Sequence, residues 1–359
     1  MSNTLIAAVV FLVAAGVSYA SIRPVLKLAE RFSLLDMPDA RRVHTTPIPR
    51  IGGLGIYFGF MIAIAISFML PVLRFAEEIE RILLLTIAAT IVVVVMLFDD
   101  LFGIPPIPKL LCQIGAAGVV VFPRFRDQQA GIVIEQFNLP FFDTLNLPLA
   151  VAIVFTIFWI VGMMNAVNWA DGLDGLAGSI TLIAAIILFL HTFFRPTGDP
   201  QFTISLLAIA LAGAIVGFLP WNWHPARIIM GDTGAMFLGF ALATISVVGG
   251  AKIATALLAL GVPILDTAWV IVYRVLNGKS PLHADRGHLH HRLLDAGLSQ
   301  TQIVAVFALM TAIFGTLALA LPTRELKLFA MLAMGAIVLT LVGLLARHQS
   351  ARPGTDETV

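Results

Sequence analysis

The chain has 359 residues, of which 59% are hydrophobic and 12% charged, with a mean hydropathy of +0.97 and a formal net charge of +1. Soluble domains carry about 25% charged residues, so this composition excludes a soluble globular protein and predicts a polytopic membrane protein; the balanced charge gives no reason to expect a nucleic-acid partner. A single cysteine, Cys112, excludes an internal disulfide and a Cys-based metal cluster.

Ser2, Asn3 and Thr4 precede the apolar stretch 5–22 without a positive charge, unlike the basic opening of a signal peptide. Arg23, Lys27, Arg31, Arg41, Arg42 and Arg50 follow it, which predicts that the first helix runs from outside to inside. Since a bilayer core takes about 20 apolar residues per helix, eleven spans are predicted, near 4–26, 52–72, 80–98, 107–123, 147–164, 175–194, 202–219, 234–250, 253–273, 301–321 and 327–346. The expected fold is an all-α polytopic membrane protein with its N-terminus outside and its C-terminus in the cytoplasm. One integral domain over 1–347 is followed by a disordered cytoplasmic tail, 348–359. Parity places 27–51, 99–106, 165–174, 220–233 and 274–300 on the inner side, together with most Lys and Arg, so the active site is expected in cytoplasmic loops. The outer segment 131–142 reads as a short hairpin without chemistry.

Polar residues collect on the inner side. NAVNWADGLDGLAG at 165–178 sets Asn165, Asn168, Asp171 and Asp174 at three-residue steps, which drift about 60° each around a helix. Gly172, Gly175 and Gly178 leave room for the backbone to bend or for a bulky anion to approach. A plain helix cap, Asp as cap and Gly as terminator, is the competing reading. Asp99 and Asp100 follow the apolar run IVVVVMLF at a depth where ionised groups are costly and usually functional, with Lys109 the nearest following base. Asn222, His224 and Asp232 occupy the next inner loop, and His283, Asp285, Arg286, His288, His290 and His291 the last. Separated Asp residues with Asn partners make a hard oxygen site suited to Mg²⁺ or Mn²⁺, whereas His-Leu-His-His leaves zinc as the alternative. Arg286 and Arg292 among the histidines suit phosphate. Asp266, inside the ninth span, either pairs with Arg274 or lines a cavity. His191 and the tryptophans at predicted membrane edges read as interfacial.

Five segments carry a resemblance: HTTPIPRIGG at 44–53, LFDDLFG at 97–103 with Lys109 beyond, NAVNWADGLDGLAG, WNWHPARIIMGDTGA at 221–235 and DRGHLHHRLL at 285–294. In that order they resemble the polyprenyl-phosphate N-acetylhexosamine-1-phosphate transferases of glycosyltransferase family 4. His288-Leu289-His290-His291 departs from the three successive histidines of the phospho-MurNAc-pentapeptide transferases and is similar to the branch that transfers N-acetylglucosamine-1-phosphate to undecaprenyl phosphate. The resemblance implies a bacterial cytoplasmic-membrane enzyme with its site facing the cytoplasm. It would convert UDP-N-acetylhexosamine and polyprenyl phosphate to polyprenyl-diphospho-N-acetylhexosamine and UMP, the first membrane step of a cell-envelope glycan pathway. Mg²⁺ is the implied cofactor, with Mn²⁺ as substitute. The implied metal ligands are Asp232 with Asp99 and Asp100, and the catalytic set is Asp99, Asp100, Asp171, Asp174 and His290. Arg50, Lys109, Asn168, Asn222, Arg286, His288 and His291 are implied substrate contacts. Relatives form tight dimers, so a homodimer is allowed, although no dimer motif is legible. A secondary transporter is the rival of a different class, but transporter sites lie near the midplane. A CDP-alcohol enzyme is disfavoured because DG-x-x-AR is absent.

Overall fold

A computed structural model of the chain describes residues 1–32, 34–36, 47–126, 131–194, 201–249, 253–280 and 287–350. The first helix, α1 (Asn3–Arg31), starts on the Ser2 side chain, which accepts from the Leu5 amide. A two-residue ladder, β1 (Leu35–Asp36) with β2 (Ile48–Pro49), follows, and then α2 (Gly53–Ser67). α3 (Ala76–Phe102) opens with Glu78 accepting from the Phe75 amide at 3.0 Å, and its acidic first turn complements the helix dipole. Gly103, at φ +72°, ends α3, and Pro106 opens α4 (Pro106–Val121), whose fixed φ suits a first helical position. That Gly-Pro punctuation reverses the chain within a few residues and returns Lys109 to the end of α3.

Beyond a 3₁₀ turn at Phe122–Arg126, β3 (Gln136–Asn138) pairs antiparallel with β4 (Thr144–Asn146). A hairpin is therefore present, but it lies further along than 131–142 because its turn is built at Phe141, with φ +64°. The helices α5 (Leu149–Ala170), α6 (Leu176–Phe193), α7 (Phe202–Asn222) and α8 (Gly231–Val248) follow. Next come α9 (Ile253–Ala259) and α10 (Gly261–Leu276), which meet at a bend of 81°. The short α11 (Leu289–Asp295), α12 (Gln300–Ala320) with a Ser299/Gln302 capping box, and α13 (Arg324–Ser350) complete the chain.

The eleven predicted spans all coincide with helical segments, but not all are full crossings. Among the described residues nine helices are long and apolar enough to cross a bilayer, or ten if the bent α9–α10 pair is one span. The 15-residue α2 is the exception: Ser67 Oγ bonds back to Ile64 O at 2.6 Å and Arg74 donates to Ser67 O at 2.9 Å, closing the helix early. α13 continues to Ser350, into the segment expected to be tail, and 351–359 lie outside the described residues.

α8 is the centre of the bundle, 94% buried along its span, with α3 and α5 against it. α7 lies between α1, α2 and α6, and α12 packs on α6 and α9. One large apolar core joins these helices, while a second cluster of Ala170, Leu173, Leu289, Leu293, Val338 and Val342 ties the ends of α5 and α13 to α11. The C-terminal ends of α1, α3, α5, α7 and α13 and the N-terminal end of α8 thus share one edge.

Candidate active site

The N-terminus of α8 is fixed by main chain. Ile229 N donates to Pro49 O, Gly52 N to Ile229 O and Gly53 N to Met230 O, at 2.9 to 3.0 Å. A side chain at Gly53 would collide with Gly234, so only glycine lets the two helix starts approach this closely. Asp100, in the last turn of α3, locks the arrangement from a third side. Its Oδ1 accepts from Asp232 N at 3.0 Å and from Arg50 Nη2 at 3.2 Å, and its Oδ2 accepts from Thr233 N at 2.9 Å and Thr233 Oγ1 at 2.6 Å. A carboxylate with both oxygens so engaged at a helix N-terminus is an electrostatic anchor for α8.

Asp232, in the first turn of α8, is thereby aimed at the edge. Asn168 Nδ2 donates to its Oδ1 at 3.0 Å, and the Lys109 ammonium is in contact with its Oδ2. The same ammonium donates to Asp99 Oδ2 at 2.7 Å, and Asp99 Oδ1 accepts from Ile104 N at 2.7 Å. Four separate helices, α3, α4, α5 and α8, therefore converge on one carboxylate–lysine–carboxylate bridge. Asp99, Asp100 and Asn168 lie within helices, not in loops beyond the apolar runs, because the end of hydrophobicity is not the end of hydrogen bonding.

Asp171 caps α5, its amide bonding to Asn168 O at 3.2 Å. Burial first, and then the charges of Asp100 and Asp174, push its carboxyl up to about 7 against the opposing pull of Arg50. It is a group able to exchange a proton near neutrality. Asp174 and Asn222 hold the neighbouring loop: Asp174 Oδ2 accepts from Ala226 N at 3.1 Å and meets His224 Nδ1 at 2.7 Å. The buried Asn222 amide accepts from Gly175 N and donates to Ile228 O. The histidine segment closes the other side. His290 is buried with its ring against Gly172, where a Cβ would come within 3.0 Å of ring carbons, and the His291 ring lies 4.3 Å from it. His288 stacks parallel to His290 at 5.8 Å. Arg286 and His44 lie outside the described residues.

From Lys109 and Asn168 a cavity of about 650 Å³ runs inward between α4, α5 and α9–α10, lined by Leu110, Phe155, Phe158, Trp159, Ile264 and Ile271 among others. Among the polar side chains of this wall, Asn165 was singled out from sequence without a role, and Gln113 was not assigned from sequence. Asn165 Nδ2 donates to Gln113 Oε1 at 2.6 Å, and Gln113 also reaches Met236 Sδ. Gln113 stands one helical turn beyond Lys109, the signal that could have found it. Thr233 was likewise missed, although it adjoins Asp232.

Fold and site define an all-α integral membrane protein that brings clustered charge to the mouth of an apolar groove. The chain belongs to glycosyl transferase family 4, whose sequence model matches residues 82–250. It is 34% identical over 316 residues to a Bacillus subtilis protein named probable undecaprenyl-phosphate N-acetylglucosaminyl 1-phosphate transferase, covering 86% of this chain and 83% of that one. It is 33% identical over 371 residues to the decaprenyl-phosphate N-acetylglucosaminephosphotransferase of Mycobacterium tuberculosis, covering 95% and 89%. A phospho-N-acetylmuramoyl-pentapeptide-transferase of Staphylococcus saprophyticus is 31% identical over 297 residues, covering 75% and 84%.

Proposed function

We propose that this protein transfers N-acetylglucosamine-1-phosphate from UDP-N-acetylglucosamine to polyprenyl phosphate at the cytoplasmic face of a bacterial inner membrane, releasing UMP. The observation that carries the reading is the Asp99–Lys109–Asp232 bridge standing at the mouth of the apolar groove. An isoprenoid chain suits the groove and its phosphate suits the charged mouth. The names of the relatives support the same sugar and the same class of lipid.

In the proposed reaction an oxygen of the lipid phosphate attacks the sugar-linked phosphorus of the nucleotide, and the bond from that phosphorus to the bridging oxygen breaks, leaving UMP with the electron pair. A phosphate monoester has its second pKa near 6, so the attacking group is already largely dianionic and a dedicated base is not obligatory. The harder task is to bring that dianion to a diphosphate. Lys109 is the cation already in place, and Asn168 holds Asp232 in orientation.

Among the described residues no three His, Cys, Asp or Glu side chains stand as a ready metal cage. The donor set nonetheless fits Mg²⁺, which commonly takes one or two carboxylates and completes its shell with water and substrate phosphate. Asp232 and Asp99 are the residues that would hold it, whereas Asp100 has both oxygens engaged with α8 and Arg50. Bound there, the ion would neutralise charge developing on the phosphoryl oxygens. The test is UMP release by the purified protein, expected only when UDP-N-acetylglucosamine, polyprenyl phosphate and Mg²⁺ are all present. No release with any of several UDP-sugars and lipid lengths would refute the proposal.

A further inference from the structure

The broken helix carries a carboxylate that the transfer site, as described, does not use. Asp266 lies in the second turn of α10, beyond the bend, and is 4% exposed. Both of its oxygens reach across to the histidine segment: Oδ2 meets His288 Nδ1 at 2.9 Å, and Oδ1 accepts from Leu289 N at 2.8 Å. His288 is itself 7% exposed, its ring 5.7 Å from that of Trp169, over which Arg274 lies at 5.4 Å.

Oδ1 of Asp266 already accepts from the Leu289 amide, and with Oδ2 accepting in the same way the hydrogen of the second bond would sit on Nδ1, leaving Nε2 turned away from α10. The second bond fixes the backbone at the start of the segment that places His290 over Gly172. A brace for the bundle would be satisfied by any partner. This carboxylate spends both oxygens on two consecutive residues of the HLHH segment. We propose that Asp266 is a positioning residue for the transfer reaction, holding His288 in its Nδ1–H form and setting the HLHH segment against the DGLDG turn. The proposal rests on the transferase reading for its consequence in turnover, but its geometric core does not.

Protein labelled with ¹⁵N-histidine, with the His288 signal assigned by its loss in His288→Asn, is expected to show His288 protonated on Nδ1. A His288 signal protonated on Nε2 alone overturns the proposal whether or not any variant folds. For turnover, Asp266→Asn offers one acceptor to two donors and is expected to lower kcat about 10- to 100-fold, leaving KM for the UDP-sugar within about twofold, with Asp266→Glu recovering part of the loss. Because Asp266 acts through His288, adding Asp266→Asn to His288→Asn is expected to cost less than about a further twofold, the signature of coupled residues. Losses that multiply in the double variant, or a lowered melting temperature with unchanged kcat, overturn it. Absence of transfer by the wild-type protein defeats the transferase reading instead, and leaves the tautomer measurement to decide the geometry.

Discussion

Lys109→Met removes one positive charge from between two carboxylates while keeping most of the side chain's length. The ammonium contacts Asp99 and Asp232, whose side chains are 9% and 19% exposed. Uncoupling a fully buried ion pair costs about 3–5 kcal/mol. Screening at this degree of exposure reduces that to about 2 kcal/mol, roughly a thirtyfold effect. The same ammonium is the cation that the lipid phosphate would meet, and a loss of about 2 kcal/mol there as well lowers turnover, followed as UMP release at saturating substrates, about thirtyfold. The two carboxylates left behind attract a divalent cation more strongly, so half-saturating Mg²⁺ is expected to drop by about tenfold. Turnover and Mg²⁺ dependence both unchanged would refute the reasoning that Lys109 neutralises this pair.

Gly172→Ala puts a methyl group into the buried ring of His290 and should lower kcat by about 100-fold, with a loss of about 1–3 kcal/mol of stability; full activity would remove His290 from the site. Asp171 is an acid whose folded pKa is raised, so its protonated form stabilises the fold, a contribution fully present below the unfolded value of 3.8 and lost as pH rises through about 7. Melting curves in detergent should show wild-type stability falling over that range relative to Asp171→Asn, and parallel curves would contradict the assignment. Gln113→Leu leaves one Asn165 donor without its acceptor in the groove wall, at a cost of about 1–3 kcal/mol, read as a lower melting temperature; no change would mean the bond at 2.6 Å contributes nothing.

Apolar run length located the long helices of the bundle, because a bilayer imposes that length on a span, but it gave no sign of the short α11, which lies in the predicted loop 274–300. It misplaced the ends where chemistry sits. Asp99, Asp100, Asn165 and Asn168 are the polar last turns of α3 and α5, and a hydropathy reading cuts them off although their backbones remain helical. The break between α9 and α10 was written in Gly261 and Pro263 but hidden by the apolar residues around them. Individual site residues were legible as polar intrusions in short motifs, whereas their partners were not. Asp100 and Thr233 are far apart in sequence, as are Asp232 and Asn168, and only the packing of α3 and α5 on α8 brings them together. For Asp266, Arg274 was the evident local candidate, yet the bonds run to His288 and Leu289 in another element.

The zipper of amide and carbonyl groups between 49–53 and 229–230 has a bearing on how this protein can diverge. Peptide groups are common to all residues, so aliphatic exchanges at Ile48, Ile51 or Ile229 leave the seam intact and Asp232 where it is. Gly53 and Gly234 have no such freedom, since any larger residue would wedge the seam apart. Drift over time should therefore scramble the hydrophobic letters of the PIPRIGG and RIIMGDTG segments while sparing their glycines, on grounds of packing alone.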